Sequence, residues 1–117
     1  MKKPAQASTA GMDSLQELRE RLRHFAAERD WNQFHGPKNL AMSVAIEAAE
    51  IMEHFQWLTP LQSSELSQEA RREVAHEMAD VLLYLVRLAD VLDIDLASAA
   101  REKIALNAQK YPVSRGL

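Results

Sequence analysis

With 117 residues, 47% of them hydrophobic and 26% charged, the chain is long enough for one soluble globular domain whose core stays thin unless another subunit shares it. A net charge of −3 excludes a broad nucleic-acid footprint, so an anionic substrate has to be met by local cations or a metal ion. The absence of cysteine excludes disulfides and thiolate metal sites.

No apolar run approaches the ~20 residues that cross a bilayer. The stretch after Lys2 and Lys3 has no apolar signal-peptide core, so the expected compartment is the cytoplasm. Residues Met1 to Met12 are small and polar with Pro and Gly, and are expected to form a disordered arm ahead of one domain over 13–117. From Asp13 the pattern turns helical, with a capping-box signal at Ser14 and Glu17 and an apolar stripe of Leu15, Leu18, Leu22 and Phe25. The segment Trp31 to Pro37 is a break, and a second helix is predicted from about Lys38 to Trp57. Thr59 to Gln68 reads as a polar loop, and a third helix follows to about Leu92. Asp93 or Asp95 can cap a fourth helix ending near Lys110, before Tyr111 and Pro112. Four helices without strand-like alternation predict an all-α bundle. Between Val81 and Leu92 only Arg87 and Asp90 are charged, and a helix apolar nearly all round is expected to be covered by another subunit.

The chemistry lies in two pairs of acids. The second helix carries Glu47 and Glu50, and the third carries Glu77 and Asp80. At ~100° per residue, positions three apart point the same way about a turn apart, so each helix presents two carboxylates in one direction. Glu47 lies in the otherwise apolar row Leu40, Val44, Ile51, and Glu77 is flanked by Val74, Met78 and Val81. Inward carboxylates without counter-charges are costly and repel one another unless protonated or bound to a cation, and hard divalent ions such as Mg²⁺ suit such oxygen ligands. A lone E-x-x-E on a helix is usually a solvated face, which is the reading given to Glu53 and Glu73. The pairing of two such motifs on successive apolar helices sets Glu47, Glu50, Glu77 and Asp80 apart.

Trp31 and Trp57 sit at helix ends where either can cover a base or close the core. Tyr84 lies one turn beyond Asp80 on the carboxylate row, and His35 sits in a Gly-Pro loop. Lys38 and Asn39 open the second helix, where free backbone N–H groups favour anions. Lys103, Asn107 and Lys110 share a face of the last helix and form either a phosphate clamp or a solvated cationic helix end.

The E-x-x-E and E-x-x-D signature resembles the all-α NTP pyrophosphohydrolase superfamily, its MazG-like and dCTP pyrophosphatase group. The likeness runs from about Leu15 to Gly116 and is most specific in ERDWNQFHGPKNL, EAAEIMEHFQW, EMADVLLYLVRLAD and NAQKYPVSRG. It implies that Glu47, Glu50, Glu77 and Asp80 hold Mg²⁺, with Mn²⁺ as a substitute, and do the catalytic work. It further implies that Trp31, Asn32, Gln33, Phe34, His35, Trp57 and Tyr84 contact the nucleoside. The activity implied is hydrolysis of a nucleoside triphosphate, dCTP or a 5-modified dCTP, to the monophosphate and pyrophosphate by a homo-oligomer, a tetramer by resemblance. A ferritin-like di-iron bundle is disfavoured because only Glu73 and His76 have E-x-x-H spacing. A non-catalytic helical oligomerisation module accounts for the apolar helix but not for the inward carboxylates.

Overall fold

The computed structural model describes residues 13–114. The expected arm over 1–12 lies outside the described residues. The chain folds into five α-helices and one 3-10 turn, with no strand among the described residues. The all-α class is as expected, but the helix count is higher by one and the caps differ in detail.

Helix α1 spans Ser14–Glu28 and is capped by Asp13 rather than Ser14. The Asp13 carboxylate accepts from the Gln16 N–H at 2.7 Å, and Gln16 Oε1 accepts from the Asp13 N–H at 3.1 Å. Aspartate caps as well as serine, and glutamine reaches back as glutamate does, so the capping box forms one residue earlier than predicted. The break after α1 is ordered: Asp30 takes the left-handed conformation at φ 55°, and Trp31–Phe34 form the 3-10 turn. Gly36 and Pro37 then start α2, Pro37–Phe55. The expected polar loop contains a short helix, α3 (Pro60–Ser64), because Thr59 and Gln62 make a second capping box ahead of a proline at the first helical position. Ser67 caps α4, Gln68–Val91. Asp95, not Asp93, caps α5 (Leu96–Lys110), its carboxylate accepting from the Ser98 N–H at 3.0 Å.

The core lies where α2 packs along α4, with α1 against the second half of α4. Leu40 of α2, Val74, Val86 and Ala89 of α4, and Ala26 of α1 are its buried apolar residues. The predicted four-helix bundle is corrected here. Only α1, α2 and α4 pack closely, and α5 is covered only at its first turn, by way of Leu96 and Ala97. The radius of gyration of 18.2 Å accordingly exceeds the ~13 Å expected of a globular chain this long. Leu82, Val91 and Leu92 of the apolar α4 segment remain exposed in the single chain, and Met78, expected beside the inward Glu77, is exposed too.

Leu40, in the first turn of α2, is 1% exposed. Leu40→Ala is therefore expected to destabilise the protein by ~2–5 kcal/mol in urea unfolding, whereas Glu53→Gln, at an exposed position of the same helix, should fall within about 0.5 kcal/mol of wild type.

Candidate active site

The row that positions Glu47 runs inward as expected: Leu40 is buried, and Val44, Glu47 and Ile51 are partly buried. On α4, Val74 is buried and Glu77 and Val81 are partly buried, so both E-x-x-[ED] motifs meet where the two helices pack. One carboxylate oxygen from each of Glu47, Glu77 and Asp80 lies within 4.8 Å of the others. Glu50 completes the group, lying close enough to Glu47 and Glu77 to raise both of their carboxyls. Glu53 and Glu73 are exposed, as solvated acids should be.

Burial, and then the hydrogen bond and charge of Glu50, push the Glu47 carboxyl up to about 6. The Glu77 carboxyl is raised as well, first by its hydrogen bond to Glu50 and then by burial, and His54 opposes the rise. Oε2 of Glu47 and Oε2 of Glu77 are buried with no hydrogen-bond partner among the described residues. Buried acceptors left without donors are rare, and two of them in one acidic group fit a hard divalent cation with oxygen ligands.

Beside this cluster opens a cleft of about 410 Å³. The 3-10 turn supplies Trp31 and Phe34, His35 follows directly after it, α2 supplies Asn39, Leu40 and Ser43, and Tyr84 comes from α4. Trp31 is held edge-on to Phe25, with ring centroids 5.3 Å apart, and stands 6.1 Å from the His35 ring. Asn39 Nδ2 donates to the Phe34 carbonyl at 3.1 Å, and Ser43 Oγ donates to the Asn39 carbonyl at 3.0 Å, so the cleft wall is cross-linked.

Not every residue singled out in the sequence comes together in one chain. Gln33 turns back, its Nε2 donating to the Asp30 carbonyl at 3.1 Å, and Asn32 accepts from Arg87. Lys38 is exposed in the first turn of α2. Trp57 is 85% exposed beyond the end of α2 and does not line the cleft. Lys103, Asn107 and Lys110 are exposed on α5 and do not line it either. Two residues were passed over. Ser43 had no signal beyond its place on α2. Arg87 had one, since Glu77, Asp80, Tyr84 and Arg87 recur at three- and four-residue steps and so share one face of α4.

Two packed helices carrying acid pairs across their contact, with an aromatic cleft alongside, define an all-α protein with a cation-type acidic site. Residues 42–117 match the model of the MazG-like family, and the chain belongs to that family. It is 40% identical over 107 residues to a dCTP pyrophosphatase 1 from Rattus norvegicus, which covers 88% of this chain and 63% of the relative. The Homo sapiens dCTP pyrophosphatase 1 is 38% identical over 111 residues, 93% of this chain and 65% of its own length. The chain thus spans a little under two thirds of the curated relatives it matches. The fold is similar to the crystal structure of a pyrophosphatase from Archaeoglobus fulgidus, with a TM-score of 0.81 and 38% identity over 95% of this chain and 100% of that one.

Because the Glu47 carboxyl is raised from its ordinary 4.5 to about 6, the folded state holds that proton more tightly than the unfolded one. The resulting stabilisation is complete below 4.5 and is lost as pH rises through about 6. In metal-free buffer, wild type is expected to lose stability relative to Glu47→Gln between those values. Paired thermal melts across that range check it, and parallel curves would show that Glu47 titrates normally.

Proposed function

We propose that the chain is a divalent-metal-dependent pyrophosphohydrolase that converts a nucleoside triphosphate and water to the monophosphate and pyrophosphate. The observation that carries this reading is the pair of orphaned buried carboxylate oxygens on facing helices, next to an aromatic cleft of nucleoside size. Membership of the MazG-like family and the dCTP pyrophosphatase relatives support it. The substrate proposed is dCTP or a 5-modified dCTP, in nucleotide-pool sanitation in the cytoplasm. No helix among the described residues is long and apolar enough to cross a membrane.

Glu47, Glu50, Glu77 and Asp80 would hold Mg²⁺, or Mn²⁺ in its place. The bound ion supplies charge neutralisation for the phosphates and lowers the pKa of a coordinated water. The carboxylates also orient water, and Glu47 or Glu50 can take its proton as its oxygen bonds to the α-phosphorus. The bond from the α-phosphorus to the bridging oxygen breaks, and pyrophosphate leaves with that oxygen. Trp31, Phe34, His35 and Tyr84 face the nucleoside in the cleft, and the turn holding Asn32 and Gln33 shapes it.

A homo-oligomer, a tetramer by resemblance, belongs to the same proposal. It is supported by the exposed Leu82, Met78 and Ile46 on α2 and α4 and by the exposed Ile104 and Leu106 of the scarcely packed α5. In such an assembly Trp57 would reach a neighbouring subunit's cleft, and Lys38, Lys103, Asn107 and Lys110 would meet phosphate.

A pyrophosphate-release screen over all NTPs, dNTPs and modified dCTPs is expected to single out deoxycytidine triphosphates and to require Mg²⁺ or Mn²⁺ after EDTA treatment. Glu47→Gln, Glu50→Gln and Asp80→Asn should each lower kcat well over tenfold with the fold intact, as loss of an electrostatic catalytic group does. Glu53→Gln should keep most activity. Full turnover in metal-free buffer overturns the mechanism. Trp31→Ala should raise KM roughly five- to a hundredfold, the ~1–3 kcal/mol of one stacking partner. A folded monomer in sedimentation equilibrium at micromolar concentration overturns the assembly.

A further inference from the structure

Arg87 is the one buried charged side chain among the described residues, at 8% exposure, and it belongs neither to the acidic cluster nor to the lining of the cleft. Its guanidinium is spread over three acceptors. Nε–H donates to His35 Nδ1 at 3.0 Å, Nη2 donates to Asn32 Oδ1, and Nη1 faces Asp90 Oδ2 at 3.5 Å. Asp90 is itself gripped by Arg23 of α1, from Nε at 2.8 Å and Nη2 at 2.6 Å. A buried cation needs such partners, and here two of them lie on the 3-10 segment that builds the cleft.

The direction of the Arg87–His35 bond decides where the imidazole proton sits. Arginine is a donor only and stays protonated, so His35 Nδ1 must accept. A neutral imidazole that accepts at Nδ1 carries its proton on Nε2. Burial, and secondarily the Arg87 charge, hold the His35 pKa below its ordinary value, which keeps the ring neutral. Nε2 has no protein partner among the described residues, and His35 lines the cleft with Trp31 and Tyr84. Asn39 lines the same cleft with its amide nitrogen committed to the Phe34 carbonyl, which leaves its side-chain oxygen as an acceptor.

Resting on the nucleotide reading above, we infer that Arg87 is a positioning residue that fixes His35 as its Nε2–H tautomer, so that the cleft offers a hydrogen-bond donor to an acceptor on the nucleoside base, a carbonyl oxygen or an unprotonated ring nitrogen. If the guanidinium merely braced the turn, substrate binding would be indifferent to whether position 35 offers a donor.

The test reads the tautomer directly by long-range proton–nitrogen NMR on histidine-labelled protein at neutral pH, without nucleotide. Wild type is expected to show His35 Nδ1 unprotonated and Nε2 protonated, and Arg87→Met to show a mixture of tautomers. With dCTP and Mg²⁺, Arg87→Met should raise KM about tenfold with kcat little changed, as loss of one hydrogen bond to the base predicts. His35→Gln, which keeps an N–H donor near the Nε2 position, should hold KM within about threefold of wild type, and His35→Phe should match Arg87→Met. These His35 variants carry the kinetic arm should Arg87→Met fail to fold. An Nδ1–H tautomer or an imidazolium in wild type overturns the inference, as do equal effects of His35→Gln and His35→Phe. Absence of any nucleotide hydrolysis would overturn the proposed function while leaving the tautomer assignment to the NMR result.

Discussion

Repulsion among the carboxylates at the α2–α4 contact is the constraint to which the rest of the molecule answers. Leu40, Val44 and Ile51 on one helix and Val74 and Val81 on the other bury best when the helices close on each other. That closure brings oxygens of Glu47, Glu77 and Asp80 within 4.8 Å. Unit charges ~4 Å apart repel by ~1 kcal/mol in water and by about 4 kcal/mol near a protein surface, so several such pairs strain the contact. The Glu47 and Glu77 carboxyls are accordingly raised, which favours their neutral forms in the metal-free protein. A divalent cation would relieve the strain more fully, because it could reach the two Oε2 atoms that no donor among the described residues reaches. Hydrophobic packing in this fold therefore creates a demand that a metal ion would satisfy.

Helix α4 carries that demand into the cleft. Glu77, Asp80, Tyr84 and Arg87 follow one another along a single face, so one rigid helix sets the acidic cluster, a cleft wall and the anchor of the 3-10 turn. Asp90, one turn further on, ties α1 to the same helix through Arg23. The Asp90 carboxyl is held below its usual range first by the Arg23 hydrogen bond, so the anchor stays charged at neutral pH. The acidic cluster, one wall of the cleft and the anchor of the 3-10 turn are thus indexed to each other along one helix.

What could be read in the sequence was whatever depends on helical period and on residue type. The acid pairs, the inward row around Glu47 and the sites of the main helices follow from spacing alone. Short-range capping was legible but partly misjudged: Asp13 with Gln16 and Thr59 with Gln62 satisfy the capping-box pattern as well as Ser14 with Glu17 does. The Arg87 network was not legible, because its partners His35 and Asn32 lie 52 and 55 residues away and only the fold brings them near. The place of α5 was hidden for a different reason. Its caps and length are local properties, but whether it packs depends on what surface is available, and within one chain α1 and α2 already flank α4.

The thin core bears on function as well as on stability. Five apolar residues are buried among the described residues, while Ile46, Met52, Met78 and Leu82 of the site-bearing helices stay exposed. Burying one such side chain is worth ~1.5–3 kcal/mol, so covering this face would add stability comparable to the whole margin of a small domain. The exposed side chains belong to the same two helices that carry the carboxylates, interleaved with them along α2 and α4. A partner covering that face would also exclude water from the flanks of the acidic cluster, lowering the local dielectric where, in the proposed function, phosphate charge would be met. On this argument the proposed assembly would contribute to the electrostatics of the site and not only to the stability of the fold.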